Sequence, residues 1–173
     1  MGFIEFNVSE TILGCLENIA AFGRQLYLVL RLHPKEEREH YETVAKTPRR
    51  FHVILDTMSN HYESIQGVDV VVGISTTLLI EAAIMGRVAI SVQPNLIGPD
   101  QMKSNLSGMT WAAYSGSEDR VLLTHAVLDI GGMESELLAY QECSFGRGKA
   151  TANVPRLLFR LAKNRSITPP GKA

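Results

Sequence analysis

Two apolar runs, Val68–Val72 in "VDVVV" and Val88–Val92 in "VAISV", enclose the segment "GISTTLLIEAAIMGR". Neither run shows the strict alternation of a half-exposed strand, so the pattern predicts strands covered on both faces. The segment between them predicts a turn and then a helix over Thr77–Met85. A strand, a short crossover helix and a second strand of this kind make a parallel pair. Strand order and layer number are then narrowly restricted.

The rest of the chain repeats the alternation. "GFIEFNV" reads as a first strand. "SETILGCLENIAAFG" reads as a helix, with apolar positions at helical spacing, Asn7 or Ser9 as cap and Gly23 beyond its end. "QLYLVLRLHP" and "FHVIL" read as strands, "KEEREHYETVAK" and "NHYESIQG" as helices, the latter closed by Gly67. "MTWAAY" reads as an edge strand, and Ser117 as the cap of a helix in "SEDRVLLTHAVLD". "ESELLAYQE" and "GKATANVPRLLFRLAKN" read as further helices. The expected fold is α/β: a three-layer, Rossmann-like domain with a mainly parallel sheet of about five or six strands and helices on both faces. One such domain is expected over 1–165, with a loosely held tail over 166–173.

Composition narrows the function classes. The chain has 173 residues, 45% hydrophobic and 20% charged, with a net charge of -1. That balance suits a globular protein and gives no electrostatic reason to expect nucleic acid as partner. No apolar run approaches the ~20 residues of a membrane span, so no transmembrane segment is expected. The N-terminus lacks the basic and apolar regions of a signal peptide. Cys15 and Cys143 are the only cysteines, which fits a reducing compartment and a cytoplasmic location. His40, His52, His61 and His125 show no metal-ligand spacing and read as surface or structural residues; no metal is expected.

Ligands of open parallel sheets bind outside the carboxyl ends of the strands. There, Gly73 allows a sharp turn, and Ser75, Thr76 or Thr77 caps the following helix. The free amides of a helix N-terminus attract phosphate; a capped helix with no ligand is the plain alternative. Glu81 shares a helix face with Thr77 at i,i+4. A carboxylate buried in so apolar a helix needs partners, either pentose hydroxyls of a nucleotide or an intramolecular ion pair; otherwise it lies on an exposed stripe. His33 and Lys35 follow a strand whose mouth is expected nearby, and His33 can donate to phosphate. In the long polar loop "PNLIGPDQMKSN", Asp100 and Gln101 can hydrogen-bond a sugar. No Walker A phosphate loop, no G-x-G-x-x-G after the first strand and no G-x-S-x-G elbow is present.

"LRLHPKE", then "VDVVVGISTTLLIEAAIMGRVAISVQP", then "GKATANV" together resemble the carboxyl-terminal half of GT-B glycosyltransferases. The style is that of the UDP-N-acetylglucosamine 2-epimerase, CDP-glycerol glycerophosphotransferase and bacterial capsule-type sialyltransferase group. The resemblance covers roughly Phe3 to Lys163. It implies that His33, Ser75, Thr76 and Thr77 meet phosphate and that Glu81 meets ribose. Asp100 and Gln101 weakly resemble the aspartate–glutamine pair that holds donor sugars in plant-type enzymes. The ligand so implied is a nucleotide-activated donor, with no separate cofactor, in surface polysaccharide biosynthesis. Relatives of this kind carry a preceding acceptor domain. The expectation is therefore nucleotide binding with little turnover by this chain alone, and an acceptor domain or a second copy as protein partner.

Overall fold

The computed structural model describes residues 5–32 and 38–145. Within them run α1 (Glu5–Ala20), β1 (Tyr27–Leu30), α2 (Arg38–Lys46), β2 (His52–Leu55), α3 (His61–Gln66) and β3 (Val70–Gly73). They are followed by α4 (Thr77–Ile84), β4 (Val88–Val92), α5 (Lys103–Ser107), β5 (Trp111–Ala113), α6 (Gly116–Leu128) and α7 (Ile130–Phe145). All strand pairs are parallel, as the crossover helices require. They form two ladders, β1–β2 and β3–β4–β5, rather than one continuous sheet. The α/β class and the parallel pairing hold, but neither ladder reaches the expected five or six strands.

The first strand of the sequence reading is absent where the structure describes it. Residues 5–8 of "GFIEFNV" belong to α1. The spacing of buried Val8, Cys15 and Ile19, with Ile12 beside them, carries the helical period back to Val8. Asn7 and Ser9 therefore lie within α1 rather than at the start the sequence reading gave it. The cap of α6 also moves: Ser115, not Ser117, accepts from the Glu118 amide. The predicted last helix falls outside the described residues.

The central strand β4 is buried along its whole length. Val88, Ile90 and Val92 point to one face, where α1, α6 and Met133 of α7 cover them. Ala89 joins the opposite cluster with Val71, with Leu79, Ala82 and Ala83 of α4, and with Leu137 of α7. Small side chains at Ala89, Ala82 and Ala83, all 0% exposed, let α4 lie close to the sheet. Gln141 of α7 donates through Nε2 to the Ala83 carbonyl and fastens this face. The α1 helix serves a second core as well: its Leu13 and Ala20 pack with Phe51, against Leu28 and Val53 of the other ladder. That ladder is less covered, with Tyr27, His52 and Ile54 exposed and the Tyr27 and His52 rings stacked at 5.0 Å.

One buried group runs against this packing. Asp119, in the first turn of α6, is 0% exposed, and neither carboxyl oxygen has a hydrogen-bond partner. Burial first, and the neighbouring Glu118 charge second, raise its pKa from 3.8 to about 6. The Cys15 thiol of α1 is likewise pushed up by burial, against the opposing effect of Arg120.

Candidate functional site

The ligand edge is built by three turns that leave the carboxyl ends of β2, β3 and β4. After β3, residues Ser75, Thr76 and Thr77 are all exposed. Thr76 is the cap of α4: its backbone is extended and its side chain accepts from the Leu78 amide at 3.3 Å. The turn depends on Gly73 for closeness rather than for unusual dihedrals. A Cβ there would sit 3.0 Å from the Thr76 methyl, while Gly73 is not among the glycines with positive φ. The expected role of Gly73 as a conformational pivot is thus corrected to that of a close-packing site. The other end of α4 does use a left-handed glycine, Gly86 at φ 82°. The Gly86 and Arg87 amides bond the Ala83 and Ala82 carbonyls there.

Glu81 sits one turn below Thr77. The helix around it is buried on one face only; Ile84 is 60% exposed, and the Glu81 side chain is 32% exposed. The Glu81 carboxylate is therefore half-buried, between the buried acid and the exposed stripe that the sequence allows. Its Oε2 lies 2.7 Å from Nε2 of His61, the first residue of α3. The contact lacks hydrogen-bond alignment, so both atoms are shielded from water without a hydrogen-bond partner. The His61 ring also lies 4.1 Å from the Tyr62 ring. Sequence reading placed His61 among the bystanders; only the fold brings α3 against α4 and makes it the neighbour of Glu81.

Asp100 and Gln101 differ from each other. Asp100 is the hub of the loop after β4. It accepts from the Met102 amide (2.8 Å), Asn105 Nδ2 (2.7 Å), the Tyr114 hydroxyl (2.8 Å) and Gln93 Nε2 (3.3 Å). Burial by itself would raise its pKa; these donors outweigh burial and hold the carboxyl below its ordinary value. Burial first, and the pairing with Asp100 second, raise the pKa of the Tyr114 hydroxyl. Gln101 is exposed and donates to the Pro99 carbonyl. The loop is thus braced by hydrogen bonds to the Asp100 side chain. Gln93, at the strand end where the sequence reading looks for ligand contacts, is buried and donates to both Asp100 and Ser91.

The turn after β2 is similarly committed. Arg31, just beyond β1, reaches Asp56 at 2.6 Å, and Ser64 of α3 donates to the same oxygen at 2.6 Å. The Met58 amide takes the other oxygen at 2.8 Å. Desolvation works against ionisation of Asp56, but these donors lower its pKa. His33 and Lys35 lie outside the described residues.

A recess of about 370 Å³ between β5 and α6 is lined by Ala112, Ser117, Glu118, Val121 and Leu122; none of the predicted site residues lines it. Among the described residues no group of three or more His, Cys, Asp or Glu is placed to hold a metal ion, and no helix is long and apolar enough to cross a membrane. No protein-family model matches the chain, and no curated protein or solved structure matches it either.

Proposed function

We propose that the chain binds a nucleotide-activated donor as the donor half of a GT-B-like glycosyltransferase of surface polysaccharide biosynthesis. The supporting observation is the Glu81 carboxylate. Its side chain is 32% exposed, and it lies one helical turn below three exposed hydroxyl residues at the N-terminus of α4. Amides and hydroxyls of Ser75, Thr76 and Thr77 would take the diphosphate, and Glu81 would take the pentose hydroxyls, which are donors. In the whole enzyme the same amides would stabilise the departing nucleotide phosphate as charge develops on it. The acceptor, and the base that activates it, would come from the acceptor domain of such an enzyme. A 2-epimerase uses the same donor and would release a free epimerised sugar instead of a transferred one.

A second reading has its own observation. The 2.7 Å approach of His61 suits Glu81 as half of an internal pair that ties α3 to α4. The chain would then be a non-catalytic module. Titration of the folded protein with UDP, CDP and CMP separates the two. Binding that weakens at least tenfold in Glu81→Gln supports the nucleotide site. Failure of every nucleotide at millimolar concentration, with Glu81→Gln costing only stability, supports the internal pair.

A further inference from the structure

The Ile74 carbonyl, at the start of the Ser–Thr turn, accepts from Ser91 Oγ at 2.7 Å across the β3–β4 ladder. Ser91 is 0% exposed, and Gln93, 3% exposed, donates to that same oxygen at 2.9 Å. The polarity of this chain is dictated from its far end. An ionised Asp100 can only accept, so Gln93 must present its NH2 group there. The second Gln93 hydrogen then goes to Ser91 Oγ. The single Ser91 proton is left for Ile74, in preference to the Met102 sulfur at 3.5 Å. A trans peptide points its C=O and N–H in opposite directions. With the Ile74 carbonyl drawn toward β4, the Ser75 amide is turned away from it, at an exposed residue. Among the described residues, no main-chain carbonyl accepts from that amide.

We propose that Ser91 and Gln93 are positioning residues. They form a buried relay that fixes the 74–75 peptide and so presents the Ser75 amide to the phosphate of the proposed nucleotide. The relay rests on the nucleotide reading for its purpose but not for its geometry. Neither residue touches the ligand. A peptide free to rotate would turn a carbonyl oxygen toward the anion in a fraction of molecules.

The test uses the full chain, with Ser91→Ala and Gln93→Met as variants, and two readouts. NMR follows the Ile74 carbonyl carbon and the Ser75 amide nitrogen; UDP titration follows affinity. Ser91→Ala should move both resonances and weaken UDP about tenfold, the worth of one charge-assisted amide contact. Gln93→Met, which leaves the serine hydroxyl in place, should do the same more weakly and guards against a Ser91 variant that fails to fold. A lowered melting temperature with unchanged UDP affinity in both variants would make the relay mere packing and overturn the proposal. If the wild-type chain takes up no UDP at millimolar concentration, the nucleotide reading falls and with it the purpose of the relay. Its geometry is then judged by the resonances alone: unmoved signals refute it, and moved signals sustain it.

Discussion

Replacing Asp119 with Asn should make the protein more stable at neutral pH and flatten its response to acid. The carboxyl is wholly buried, with no hydrogen-bond partner for either oxygen. Its folded pKa is about 6 against 3.8 for the free group. The folded protein therefore holds this proton more tightly than the unfolded chain does. Below pH 3.8 the group costs nothing through ionisation. Between pH 3.8 and about 6 the unfolded chain has released its proton and the folded one has not, so stability falls as pH rises. Above the folded value the loss is complete. A shift of that size corresponds to ~3 kcal/mol. Asp56 and Asp100 have lowered values, so their contributions are present above the ordinary carboxylate pKa and are lost only as pH drops below it. Urea unfolding followed by the single tryptophan, Trp111, at pH 4.5 and 7.5 measures the window. Wild type should lose about 2 kcal/mol between the two, and Asp119→Asn should lose almost none and be the more stable form at pH 7.5. The same wild-type loss persisting in Asp119→Asn would refute the assignment.

Two further substitutions probe the ligand edge. Asp100→Ala strips one acceptor from four donors; at pH 7 it should cost roughly 3 kcal/mol in urea unfolding and speed amide exchange at Met102. Gly73→Ala pushes a methyl against Thr76 and should loosen its cap, lowering stability by ~1 kcal/mol in thermal unfolding. A Thr76→Ala background should absorb most of that cost, because the methyl in the way is gone.

The βα register was legible where one residue type repeats under one constraint. "VAISV" is the covered strand the sequence predicts, "VDVVV" yields a strand that starts two residues late, at Val70, with only Val71 buried, and Gly67 and Gly86 lie in turns at the ends of α3 and α4. "GFIEFNV" misled because Ile4, Phe6 and Val8 also alternate with period two. Val8 reveals its helical membership only through contacts with residues of β4 and α6. The relay and the loop hub were illegible for a different reason. Gln93 and Asp100 look like ordinary loop polars, and what commits them is their joint position against Ser91, Asn105 and Tyr114. The same holds for His61, whose neighbour Glu81 lies on another helix. Periodicity reports how one segment meets the core; it carries nothing about which two polar tips meet.

The double duty of α1 bears on how the chain is made. A ribosome delivers this helix well ahead of β4, α6 and α7, the elements that complete one of its two cores. Until α6 and α7 emerge, Val8, Cys15 and Ile19 face water, and the nascent chain displays a greasy stripe for much of its synthesis. Translation that stalls after α4 would leave that stripe permanently bare, a ready handle for holdase chaperones and degradation machinery. Quality control could thus read the arrival of β4, α6 and α7 from the concealment of α1.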